Sequence, residues 1–179
     1  MVVHPGKHWN SKTFPAEWWQ GVIDGLVGIG KRVCIIGKDD RGDAPNYIVG
    51  ARGTVDVKCP EGVYDLRNLL DLGALGALLG VAKVLISNDS FPIHLAGAFN
   101  NWIILIPSCK HPDHVLPWRN ESQYYKAMAL YKKLVIDEVE SRPTQVYQTR
   151  ADVDVEDWLQ YLPETEEVVE EVRRLYGRR

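Results

Sequence analysis

The sequence predicts an α/β fold: one parallel sheet in the strand order 3-2-1-4-5, helices on both faces, and a helical C-terminal extension. Three observations carry this reading. Short apolar runs recur through the first 120 residues, as in "VCII", "KVLI" and "IILI". The segments between them carry apolar residues at helical spacing. The links are short, which favours right-handed crossovers within a single parallel sheet.

The first run, "MVV", is a short strand leading into the turn His4-Pro5-Gly6. In "KHWNSKTFPAEWW", Pro15 suits a first helical turn, with Thr13 or a neighbour as cap. Residues 17–29 then place Trp18, Val22, Ile23 and Leu26 on one helix face, and Gly30 ends the helix. "RVCIIG" is a buried strand followed by the loop "KDDRGDAPN", and residues 54–57 form a weaker strand. Residues 65–79 read as a helix with Leu66, Leu69, Leu70, Leu75 and Leu78 as its apolar face. "LISNDSFPIHLAGAFNNWIILI" is strand, polar turn, helix, strand. Beyond it, "ESQYYKAMALYKKLVIDEVES" reads as one long helix, and residues 157–162 and 164–176 as two more, divided by Pro163. The chain thus divides into a sheet domain, 1–120, and a helical extension, 121–179.

With 179 residues, 45% hydrophobic and 25% charged, the chain can bury one proper core. A net charge of −3 indicates neither a nucleic-acid nor a membrane surface. No apolar run approaches the length of a membrane span. Cys34, Cys59 and Cys109 form no close pairs, so buried thiols in a reducing cytoplasm are the expectation.

Two polar clusters fall at strand ends. In "DSFPIH", Pro92 fits a first helical turn and Asp89 or Ser90 would be the cap. Free N–H groups there suit an anion such as a diphosphate, and His94 follows Ser90 on the same face. A capped helix with a satisfied histidine is the plain alternative. The second cluster, His4, Lys7, His8 and Lys12, follows the first strand. In the order 3-2-1-4-5 the first and fourth strands are neighbours, so the clusters face each other at the topological switch point, where such sheets bind ligands.

Other motifs carry less. "HPDH" lacks metal-site spacing, and Asp39-Asp40 reads as a solvated loop. "GLVGIG" falls at the end of a helix rather than after a strand. Trp9, Trp18 and Trp19 read as core packing before a ligand wall.

Three segments carry a resemblance. "HPGKHWNSKTFPAEWW", "LLGVAKVLISNDSFPIHLAGAF" and "PSCKHPDHVLPWR" resemble, in order and spacing, the C-terminal domain of glycosyltransferase family 9, the ADP-heptose:lipopolysaccharide heptosyltransferase family. The likeness covers roughly residues 1–120. It implies the GT-B architecture, two Rossmann-like domains flanking a cleft, with the nucleotide-sugar donor held by the C-terminal one.

Carried over by position, the resemblance implies a donor site of His4, Gly6, Lys7, Lys12, Gly37, Asp89, Ser90, Phe91 and His94. Lys12 would contact donor phosphate or sugar, Asp89 the sugar hydroxyls, and the backbone at Ser90 and Phe91 the diphosphate. His94 would support that loop. Residues 37–40 and 58–63 would flank ribose and base. Phe91 departs from the family's usual glycine. Transfer is expected to need no metal cofactor. No catalytic residue is assigned, because the base belongs to the acceptor domain, which another chain or a second copy would supply. A binding module without catalysis, or a partner-binding protein using its helical tail, are the alternatives.

Overall fold

The computed structural model describes residues 1–7, 12–38, 53–106, 115–119, 127–129 and 162–177. The chain runs through β1 (Val2–His4), β2 (Gly6–Lys7), α1 (Ala16–Gly28), β3 (Val33–Ile35), β4 (Gly53–Thr54) and β5 (Val63–Asp65). It continues through α2 (Leu72–Val81), β6 (Val84–Asn88), α3 (Phe91–Ala96), β7 (Trp102–Ile106), β8 (Ala127–Ala129) and α4 (Thr165–Gly177).

Six strands form one parallel sheet in the order β5-β3-β1-β6-β7-β8. Numbered by their place in the sheet sequence this is 3-2-1-4-5-6; it differs from the expected order in detail, since Val63–Asp65 takes the third place expected for residues 54–57 and an edge strand is added. β6 and β7 are buried at every position, as expected of parallel strands covered on both faces. Their side chains alternate between two cores. Val84, Ile86, Ile104 and Ile106 join Val3 beneath α1 and α4. Leu85, Ile103 and Leu105 join Val2 beneath α2 and α3.

α1 follows Pro15, whose fixed φ suits the entry, and its Trp19, Val22, Ile23 and Leu26 are buried. Gly30, at φ +73°, closes it with its N–H 2.8 Å from the Val27 carbonyl. α4 covers the other side of α1 with Val168, Val169, Val172 and Leu175. Trp18 Nε1 donates to the Pro163 carbonyl at 2.7 Å, which fixes the approach to α4.

Three expectations are corrected. Residues 65–79 are not one helix: Val63–Asp65 is a strand, Asn68 takes φ +62°, and α2 begins only after Asp71. The Asp71 carboxylate accepts the Ala74 N–H at 2.7 Å, a side-chain cap that sets the start. The weak strand expected at 54–57 lies outside the main sheet. Only its first residue, Thr54, joins Gly53 in β4, paired antiparallel with β2, Gly6 facing Thr54 and Lys7 facing Gly53. Third, within the stretch from residue 121 expected to be one long helix, residues 127–129 form β8, which pairs with β7 through Ile104 and Met128. The sheet therefore continues past residue 120, and α4 shares its core. The expected helix at 157–162 lies outside the described residues, apart from its last position.

Candidate functional site

A cleft of about 680 Å³ opens at the carboxyl ends of β1, β3 and β6. From β1 the chain passes to β3 on one side and later returns to β6 on the other, so this is the switch point of the sheet. His4, Gly37 and Asn88 line its base, and the β2/β4 ribbon contributes Gly6, Lys7 and Gly53. Lys12 and residues 89–92 add polar and aromatic surface, while Leu66, Leu70, Leu72 and Leu75 supply an apolar side.

Register explains the meeting of the two clusters. Val3 pairs with Ile86 and His4 with Ser87, so the chain leaves both strands at the same level. His4 Nδ1 lies 3.1 Å from Ser87 Oγ, and the Ser87 hydroxyl donates to the Asn88 carbonyl at 2.8 Å. Serine has one proton to give. With that proton given to Asn88, the Ser87 oxygen can accept from His4 Nδ1. Burial pushes the His4 pKa down to about 4, against an opposing pull from Asn88. His4 is neutral at physiological pH and adds no charge to the cleft.

Charge comes from the lysines. Lys12 Nζ stands 2.5 Å from Asp89 Oδ2, with both side chains largely shielded from water. Lys7 is exposed on the ribbon, opposite Gly53. Asn88 Nδ2 donates to the Gly6 carbonyl at 2.9 Å and to the Lys12 carbonyl at 2.6 Å.

Two glycines make room for this packing. A Cβ on Gly6 would lie 2.5 Å from Asn88 Oδ1 and 2.6 Å from the His4 ring. At Gly37, φ is +152°, and a Cβ would collide with the Thr54 methyl group.

The structure brings His4, Gly6, Lys7, Lys12, Gly37, Asp89, Ser90 and Phe91 to this one cleft. His94 is exposed on α3 and is not among the lining residues. Residues 58–63 do not line it either. His8, Trp9, Asp39, Asp40, Cys109 and the "HPDH" stretch lie outside the described residues. α3 has six residues, and Ser90 makes no side-chain cap, so little helix dipole is available there. Sequence reasoning missed Asn88, although it stands inside the polar knot, and it read Leu66, Leu70 and Leu75 only as a helix's apolar face, whereas they both pack on the core and line the cleft. Among the described residues no group of three His, Cys, Asp or Glu side chains is arranged to hold a metal. No helix among them is long and apolar enough to cross a membrane.

The sequence pattern of glycosyltransferase family 9 (heptosyltransferase) matches residues 1–142. The chain belongs to that family. No curated protein matches it by sequence. Among solved structures, E. coli ADP-heptose LPS heptosyltransferase II superposes with a TM-score of 0.60 at 18% identity, over 97% of this chain and 45% of that one. The family 9 glycosyl transferase of Veillonella parvula DSM 2008 gives 0.53 at 16% identity, over 96% and 46%. TibC, an iron-containing dodecameric heptosyltransferase seen with ADP-D-β-D-heptose, gives 0.62 at 18% identity, over 98% and 45%. These likenesses show the fold. This family 9 chain spans less than half the length of each of those structures.

Proposed function

We propose that this chain is the donor-binding half of a glycosyltransferase, taking a nucleotide diphosphate sugar in the switch-point cleft. The observation that carries the reading is the meeting of Lys7, Lys12 and Asp89 with Leu66, Leu70, Leu72 and Leu75 in one cleft. The cations suit a diphosphate, and the apolar side suits the flat face of a base. Asp89 can accept sugar hydroxyl protons once Lys12 turns toward phosphate. In transfer, the bond from the anomeric carbon to the diphosphate oxygen breaks as an acceptor oxygen attacks. Lysines beside the leaving oxygens stabilise the charge that develops there. An acceptor-side domain, from another chain or from a second copy, would complete the cleft. The free thiols of Cys34 and Cys59 suit a cytoplasmic setting for this chemistry.

A second reading, a nucleotide-sugar binding module without transfer, draws support from Phe91. Its ring is 55% exposed and lines the cleft where the resemblance places a glycine, narrowing the approach to the backbone.

Calorimetric titration with ADP, UDP and GDP, each against its nucleoside, tests the shared core of both readings. A diphosphate that binds more tightly than its nucleoside supports them, and equal affinity opposes them. Release of nucleotide from a nucleotide sugar, with an acceptor domain added, then separates transferase from binding module.

A further inference from the structure

We propose that Asn88 is the positioning residue of the cleft, setting the backbone from which both lysines reach a ligand's phosphates. This rests on the diphosphate reading above. Asn88 ends β6, a central strand flanked by β1 and β7, and it pairs with Ile106. Its side chain is therefore carried by the most constrained part of the sheet. It is 1% exposed.

Nδ2 donates to the Gly6 carbonyl at 2.9 Å and to the Lys12 carbonyl at 2.6 Å. Both partners are acceptors, so chemistry fixes which end of the carboxamide faces them. The two carbonyls bracket the segment that starts with Lys7 and ends with Lys12. Consecutive residues thus hold Lys12 at both ends: Asn88 takes its carbonyl and Asp89 its ammonium. Gly6 allows the close approach, since a Cβ there would stand 2.9 Å from Nδ2.

Asn88 Oδ1 is buried without a hydrogen-bond partner among the described residues. An unmet buried acceptor costs stability. Local rules are commonly broken at positions held for function. The donors of Asn88 set geometry, and the unpaired oxygen is the accompanying loss.

The test uses the full chain. Wild type, Asn88→Ala, Lys12→Ala and the double variant are titrated with ADP and with adenosine. In parallel, acetic anhydride modification of Lys12 relative to exposed Lys58 is followed by mass spectrometry. Asn88→Ala should weaken ADP about tenfold while leaving adenosine unchanged. In the Lys12→Ala background the further loss should be smaller, because the part acting through Lys12 is already gone and only the part acting through Lys7 remains. Lys12 should also be modified faster in Asn88→Ala. Unchanged ADP affinity, equal losses for ADP and adenosine, or fully additive effects would overturn the proposal. If wild type binds no diphosphate, the nucleotide reading fails, and Lys12 modification decides alone: faster modification upholds the positioning role, an unchanged rate overturns it. If Asn88→Ala does not fold, Asn88→Ser, which keeps one donor, replaces it under the same criteria.

Discussion

Lys12 Nζ and Asp89 Oδ2 meet at 2.5 Å with side-chain exposures of 14% and 9%. Removing one partner of so shielded a pair leaves a charge without its counterion, which costs more than removing both. Asp89→Ala should lower stability by about 3 kcal/mol, and Lys12→Met with Asp89→Leu by clearly less. Urea unfolding of the single and double variants checks this. A double variant as unstable as the single would show that the pair is not the source of the loss.

Acid sensitivity follows from His4. Its pKa falls from the ordinary imidazole value of 6.5 to about 4 on folding, through burial. Between these values the unfolded chain binds the proton that the folded one refuses. Stability is therefore greatest above pH 6.5, declines as pH falls through the window, and levels off below about 4. The contribution is on the order of 3 kcal/mol. His4→Gln should flatten the pH dependence over that window in denaturant midpoints.

Gly37→Ala should destabilise the protein by about 2 kcal/mol, through φ strain together with collision against Thr54. Adding Thr54→Ser removes the offending methyl group and should recover the steric part only. Full recovery in thermal unfolding would mean that the backbone strain is negligible.

Phe91→Gly should open the cleft. The ring is exposed and outside both core clusters, so the melting temperature should change little beyond the effect of a glycine in a first helical turn. Diphosphate affinity should rise. Reduced affinity in calorimetry would instead show that the ring contacts the ligand.

The central sheet was legible because β7 is an unbroken apolar run and β6 opens with one, Val84 to Ile86. The misreading at 65–79 has a physical cause. Leu66, Leu70 and Leu75 keep helical spacing and all pack against the core, so their pattern does not show that residue 68 turns left-handed between them. Asp71, three residues before Ala74, was the available sign of the true helix start. β8 is a three-residue edge strand, "AMA", too short to show a period. Among the residues that line the cleft, His4, Lys7, Lys12 and Asp89 were readable as charged or titratable residues at strand ends. Asn88 was not, because a neutral carboxamide declares its role only through the two carbonyls it reaches, 82 and 76 positions away.

The α1–α4 contact has a consequence for how the chain is made. Val22 and Leu26 of α1 share their core with Val168, Val172 and Leu175. During synthesis, strands β1 to β8 are made before α4, so this side of α1 lacks the cover of α4 until then. Sealing waits for a helix encoded more than 130 codons later. Until then the exposed stripe is a target for holdase chaperones and for contact between neighbouring chains on one message.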